Sequence, residues 1–96
     1  MFSIEIFQTA TDDLQNAFDW YEEQSIGLGE RFVNEVDDYL DLIQKKPYQF
    51  AVQFSGKYRF ALLGHFPFRI VYRIDEVKQN IYVSAIFHTS RDPREF

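Results

Sequence analysis

Residues 58–74 constrain the fold of this chain more than any other stretch. They read Y-R-F-A-L-L-G-H-F-P-F-R-I-V-Y-R-I, with alternation of side-chain character on both sides of a break at residues 64–67. Alternation is typical of β-strands, and glycine and proline at the break favour a turn, so the stretch predicts a β-hairpin. We expect one exposed face that carries arginines and one apolar face buried under helices. The predicted apolar face comprises Tyr58, Phe60, Leu62, Phe68, Ile70, Tyr72 and Ile74.

Two amphipathic helices are predicted to pack on the apolar face of this hairpin. Thr9 is the predicted N-cap of the first, with Asp12 at the N3 position, and this helix should begin near Ala10 and end before Gly27. The segment S-I-G-L-G predicts a tight turn, and K-K-P at residues 45–47 should end the second helix. Because the turn is so short, the helices should pack as an antiparallel pair with their acidic residues outward.

Three further segments have the composition of strands. Residues 2–7 and 50–54 alternate, and residues 81–88 are nearly continuously apolar after a polar turn at residues 75–80. The order β-α-α-β-β-β predicts an α+β fold, in which the antiparallel helical pair packs on one face of a mainly antiparallel sheet. A chain of 96 residues supports one core, so we expect a single domain over residues 1–96.

The composition of the chain excludes some kinds of site and indicates where the protein acts. The chain has no cysteine, which excludes disulfides and thiolate metal sites, and no other motif indicates a metal or a cofactor. It contains neither a basic secretion signal nor a run of about 20 apolar residues, so we expect a cytoplasmic protein without a membrane partner. The net charge of −5 is unevenly distributed. Residues 1–47 hold three Lys/Arg against eleven Asp/Glu, whereas residues 48–96 hold seven against four.

Five motifs in order resemble the ParE/RelE superfamily of bacterial toxins. They are the Trp20-Tyr21 pair, G-L-G-E-R-F at residues 27–32, the proline after the second helix, F-P-F-R-I-V-Y at residues 66–72, and F-H-T-S-R-D-P at residues 87–93. The second and last motifs look more like the ParE, or plasmid-stabilisation, branch. The resemblance implies the toxin of a type II toxin-antitoxin pair, held inactive by a small cognate antitoxin.

The superfamily contains two activities, and the resemblance bears on both. RelE-type members cut messenger RNA in the ribosomal A site, whereas ParE-type members bind DNA gyrase. Arg69 matches the arginine that RelE-like nucleases place on the scissile phosphate, and Arg91 matches a second family arginine. A related subgroup uses a histidine near the position of His88 for proton transfer.

Other positions depart from the nuclease pattern. Phe60 and Leu62 stand where RelE carries lysines, and the sequence stops at Phe96, before the catalytic tyrosine of that branch. The negative net charge also favours a protein target. Ribosomal phosphates repel a negatively charged toxin unless it approaches them with its basic face.

The resulting hypothesis is a ParE-like toxin that inhibits DNA gyrase by binding. Its candidate target or nucleic-acid contacts are Arg59, Arg69, Arg73 and Arg91. One alternative is a ribosome-dependent mRNA endonuclease that uses Arg69 and His88 as catalytic residues. Another is a degenerate, non-toxic member that retains only antitoxin binding. A further alternative is that these residues have structural roles only. The arginines are then solvated charges on the exposed face of a strand, and His88 is a structural residue at a strand end.

Overall fold

The computed structural model describes residues 2–54 and 56–90. Its elements are β1 (Ser3–Ile6), α1 (Gln8–Gln24), α2 (Leu28–Lys45), β2 (Val52–Phe54), β3 (Tyr58–Leu62), β4 (Phe68–Asp75) and β5 (Asn80–His88). The strands form one sheet in the order β1-β5-β4-β3-β2, in which only β1 and β5 pair in parallel. The predicted α+β fold is therefore confirmed. The sheet has five strands, one more than the order β-α-α-β-β-β contains, because residues within the predicted segment 50–54 form the three-residue strand β2 at one edge.

The main hydrophobic core lies between the helical pair and one face of the sheet. Apolar residues spaced three and four apart along each helix turn inward, as the amphipathic pattern predicts. Complete burial of each large side chain contributes about 1.5–3 kcal/mol relative to an exposed one. The fully buried members with the largest side chains on this side of the sheet are Phe32, Val36, Ile43, Ile70, Tyr72, Ile81, Val83 and Ile86. In the part of the chain that the structure describes, no helix is long and apolar enough to cross a membrane.

The register of the hairpin contradicts the predicted all-apolar face. Phe60 pairs with Val71, and Leu62 pairs with Arg69. Directly paired residues share a face of the sheet, so Phe60 and Leu62 lie with the arginines of β4 and away from the helices. The reason is the loop length: six residues separate Leu62 from Arg69, and this even number places even positions of β3 opposite odd positions of β4.

A second, smaller cluster of apolar residues follows from this register. Val71, Ala85 and Phe87 are buried on the face of the sheet opposite the helices, and Tyr58 and Phe60 pack against them. The sheet is consequently apolar near its centre on both faces, with the charged side chains of β4 at the margin of the smaller cluster.

The G-L-G-E-R-F motif is explained by the turn between the helices. Gly27 has φ of +90°, a left-handed conformation that favours glycine. The Glu22 carboxylate accepts hydrogen bonds from the amides of Gly27 at 3.0 Å and Gly29 at 2.9 Å, which satisfies donors at the start of α2. A Cβ added to Gly29 would lie only 2.7 Å from the carbonyl oxygen of Phe18, so the close approach of the helices requires glycine here.

The predicted helix N-cap at Thr9 is wrong, because α1 already begins at Gln8. Thr9 has a different role: its hydroxyl donates to the carbonyl of Ser84 at 2.7 Å. One turn later, the Asp13 carboxylate accepts from the amide of Ile86 at 3.0 Å. The pairing of β1 ends before this part of β5, so the two side chains satisfy backbone groups for which β1 supplies no partner.

Tyr72 joins the sheet to the end of α2. Its side chain is fully buried, and its hydroxyl donates to the carbonyl of Pro47 at 2.6 Å. Burial raises the pKa of Tyr72 to about 12, and the nearby Arg59 opposes that shift. The phenol therefore stays neutral far above the pH at which an exposed tyrosine ionises.

We predict that Gly29→Ala destabilises the protein by about 1–3 kcal/mol, because overpacking against Phe18 outweighs the gain of up to about 1 kcal/mol in helix propensity. Urea unfolding measures the change. Gly64→Ala is the matched control, since an added Cβ there meets only the Tyr39 hydroxyl at 3.4 Å. Equal stability of the two variants would contradict this explanation of the motif.

We also predict a loss of stability at alkaline pH that depends on Tyr72. Its folded pKa of about 12 exceeds the ordinary value of 10.0, so its contribution is complete below pH 10 and is lost as the pH rises through 12. A two-unit difference corresponds to about 3 kcal/mol.

The Tyr72→Phe variant isolates this effect. It should lose about 1–3 kcal/mol at neutral pH, because the buried Pro47 carbonyl is left without its partner. Its unfolding free energy should then fall less than that of the wild type between pH 10 and 12. Parallel pH profiles for the two proteins would show that Tyr72 is not responsible.

Candidate recognition surface

The face of the sheet opposite the helices carries the two arginines of β4. We call it the arginine face, and the register assigns to it Tyr58, Phe60, Leu62, Arg69, Val71, Arg73, Tyr82, Ala85 and Phe87. Its centre is apolar and buried, whereas Leu62 at its edge is 56% exposed. The surface thus combines aromatic rings, an exposed aliphatic side chain and two cations.

Each of the two arginines of the arginine face lies beside an aromatic ring. The guanidinium of Arg73 lies 4.3 Å from the centroid of the Tyr82 ring, and that of Arg69 lies 6.0 Å from the centroid of Phe60. Cation–π contacts of this kind orient a guanidinium without neutralising it. Among the described residues, neither arginine forms a salt bridge with a carboxylate. As far as the described residues are concerned, both charges are therefore available for an anionic partner group.

Arg59 does not belong to this surface. It pairs with Tyr72, so it lies on the helical side of the sheet. There its Nη1 donates to the carbonyl of Phe50, and its guanidinium lies 5.3 Å from the centroid of the Tyr48 ring. The expectation that Arg59 joins Arg69 and Arg73 as one cationic patch is not met, since the strand alternation separates them. The fourth predicted contact, Arg91, lies outside the described residues.

His88 ends β5 on the helical side of the sheet. Its Nδ1 accepts a hydrogen bond from the amide of Ser90 at 3.1 Å and lies 2.8 Å from the hydroxyl oxygen of the same residue. Because Nδ1 is an acceptor, the neutral ring carries its proton on Nε2. The imidazole packs edge-on against the ring of Phe68, with their centroids 5.3 Å apart.

Arg69 and His88, the predicted nuclease pair, are on opposite faces of the sheet. His88 pairs with Phe68, whereas Arg69 is paired with Phe87, the residue before His88. Consecutive residues of a strand point in opposite directions, so the sheet itself separates the two side chains. General acid–base catalysis requires a proton-transfer group within hydrogen-bond reach of the atom that it serves, at the same phosphate as the stabilising cation. The described residues do not bring these two together.

The hairpin loop is held against α2 by an acidic residue. Glu35 accepts the amide of His65 at 2.9 Å and contacts its Nδ1 at 2.6 Å. Burial alone would raise the pKa of Glu35, but the hydrogen bonds from the backbone and imidazole of His65, with that of the Gly64 amide, hold it below its ordinary value. This contact positions the loop that leads into β4.

A cleft that the sequence did not predict lies between α1 and the ends of β4 and β5. We call it the Trp20 cleft. Its volume is about 390 Å³. The only sequence signal for it is that Trp20 lies outside the buried stripe of α1. No group of three or more acidic, histidine or cysteine side chains in the described residues is arranged to hold a metal ion. The cleft is lined by Ala17, Trp20, Tyr21, Pro67, Phe68 and His88.

Comparison with protein families matches residues 4–93 to the ParE toxin of the type II toxin-antitoxin system, parDE. No curated protein matches the chain in sequence.

Solved structures of toxin-antitoxin systems are similar in fold. The chromosomal ParDE system from P. aeruginosa superimposes with a TM-score of 0.80 at 20% identity, covering 92% of this chain and 96% of that one. The intact RelBE complex of E. coli superimposes with a TM-score of 0.74 at 13% identity, covering 95% of this chain and 100% of that one. The RelBE2 complex from Mycobacterium tuberculosis superimposes with a TM-score of 0.66 at 18% identity, covering 91% of this chain and 96% of that one. At these identities the likeness establishes the fold, which the ParDE and RelBE systems share.

Proposed function

The chain belongs to the ParE toxin family of type II toxin-antitoxin systems, and from that membership we propose that it inhibits DNA gyrase by binding it. In this proposal residues 1–96 act as one cytoplasmic toxin domain, and a cognate antitoxin neutralises it. Binding rather than catalysis is the proposed mode of action.

The separation of Arg69 from His88 is the observation that carries the proposal. A nuclease would need a cation and a proton-transfer group at one phosphate, and here the sheet lies between them. The neighbours of Arg69 on β3 add to the argument: Leu62 pairs with it directly, and Phe60 lies beside its guanidinium. Neither of these side chains can transfer a proton. Arg69 is thus better suited to recognition than to catalysis.

The arginine face has the composition of a protein-binding surface. Arginine and aromatic residues are enriched among the energetically dominant contacts of interfaces. Here two cations without carboxylate partners in the described residues flank a rigid apolar centre, with Leu62 exposed at the edge. Such a surface complements a target patch that is acidic at its rim and apolar in its middle.

The proposal of an antitoxin partner rests on the structural relatives. The E. coli and M. tuberculosis relatives are described as toxin-antitoxin complexes, and the P. aeruginosa relative as a chromosomal ParDE system. These relatives share the fold over more than nine-tenths of this chain, which supports a similar partner here.

In a supercoiling assay with purified gyrase, we predict inhibition by the wild type and about tenfold weaker inhibition by Arg69→Ala and by Arg73→Ala, the effect of losing an interface anchor worth about 1.4 kcal/mol. Lys78→Ala removes the same charge from the exposed turn between β4 and β5, so it should inhibit as the wild type does. Unimpaired supercoiling at high toxin concentration would overturn the proposal. Equal losses in all three variants would indicate a general charge effect instead.

We further predict that messenger RNA in a translating extract stays intact when the toxin is added. Primer extension on the RNA measures cleavage. If the RNA is cut, and Arg69→Ala and His88→Ala each abolish cutting with no further loss in the double variant, the two residues act as a catalytic unit and the binding proposal is wrong.

A further inference from the structure

The Trp20 cleft has rigid walls of packed aromatic rings. The ring of Tyr21 lies 5.0 Å from that of Phe66 and 5.2 Å from that of Phe32, measured between centroids. Phe68, which lines the cleft, is in turn 4.9 Å from Phe32. These edge and tilted contacts belong to the main core, so the cleft is preformed. An occupant would not have to order its walls.

Trp20 forms one wall of the cleft and is 56% exposed. Its ring packs edge-on against Tyr21, with centroids 5.1 Å apart, which leaves much of the indole facing solvent. A large exposed aromatic beside a preformed apolar cleft of about 390 Å³ is typical of an interaction site.

The surroundings of the cleft are acidic. The helix that carries Trp20 contains no Lys or Arg over its 17 residues, so its own last turn holds no basic residue to offset the partial negative charge of its C-terminal end. Asp19 is exposed next to Trp20, and Asp13 lines an adjoining depression of about 220 Å³. No Lys or Arg is among the described residues that line either cavity. Charge complementarity therefore selects a cationic occupant.

His88 is one of the residues with a polar side chain that line the cleft. Ser90 occupies its Nδ1, and within residues 2–54 and 56–90 the Nε2–H of the ring makes no hydrogen bond. A ring N–H donor whose orientation is set by the contact with Ser90 is suited to a carbonyl oxygen, such as one in the backbone of a peptide.

We infer that the Trp20 cleft is a docking site for a basic segment of a partner protein that inserts a leucine-sized apolar side chain. The lysines or arginines of that segment lie along the acidic surface of α1, and the Nε2–H of His88 donates to one of its backbone carbonyls. The inference goes beyond the proposed function, because the gyrase proposal uses the arginine face on the other side of the sheet.

The single tryptophan of the chain makes the cleft directly observable. We propose a titration of the full chain with three acetylated, amidated peptides, KKLLKK, EELLEE and KKAAKK, followed by the fluorescence of Trp20. KKLLKK should shift the emission to shorter wavelength and protect the indole from acrylamide, with an affinity at least tenfold above those of the other two. Equal binding of EELLEE, or no effect of KKLLKK, would overturn the inference.

Variants locate the binding site. Ala17→Leu fills the cleft and should abolish the response. Asp19→Lys reverses an exposed charge, at the cost of one exposed hydrogen bond from Gln15, and should weaken the response severalfold. His88→Ala should weaken binding roughly threefold to tenfold, the effect of one hydrogen bond, and His88→Gln, which keeps an N–H donor, should restore part of the loss. Leu62→Ala on the arginine face is the control and should bind as the wild type does.

Circular dichroism confirms that each variant is folded before it is compared. Unchanged binding by both Ala17→Leu and Asp19→Lys would place the peptide elsewhere and overturn the inference. A concentration-dependent shift without peptide would also overturn it, because it would identify a second copy of this chain as the occupant. Gyrase inhibition is a separate readout, so the failure of either proposal is distinguishable from the failure of the other.

Discussion

The pairing of β3 with β4 determines which chemical groups each face of this sheet presents. With Leu62 opposite Arg69, the aromatic residues of β3 lie beside the arginines of β4, and Arg59 turns towards the helices. A shift of one residue would exchange every side chain of β3 between the two faces. The core of the helical side, the smaller apolar cluster and the arginine face all depend on this single alignment.

The helical pair is joined to the sheet by polar contacts as well as by burial. Thr9 and Asp13 satisfy backbone groups of β5 beyond the end of β1, and Glu22 satisfies amides at the start of α2. Buried or half-buried backbone groups without partners cost about 1–3 kcal/mol each, so these side chains contribute to stability where regular pairing stops. Two acidic residues of α1, Asp13 and Glu22, therefore have structural roles that a count of net charge does not reveal.

The arginine face and the Trp20 cleft lie on opposite sides of one sheet. The arginine face presents cations to an acidic target, whereas the Trp20 cleft lies in acidic surroundings that select a cationic segment. Consecutive residues of β4, Phe68 and Arg69, contribute to the cleft and to the arginine face respectively. A partner at one surface does not compete for contacts with a partner at the other, and the shared strand is the physical link between them.

The sequence by itself determined the elements, their order and the α+β class, because periodicity and turn residues act locally. It also placed the turn between the helices, although the closeness of Gly29 to Phe18 became apparent only in the structure. It did not determine which residues of β3 and β4 share a face, since alternation specifies the phase within a strand but not across a loop. For the same reason, only the tertiary structure separated Arg69 from His88 and Arg59 from Arg73. The Trp20 cleft likewise exists only where α1 meets the ends of β4 and β5, which are distant in sequence and meet through long-range packing.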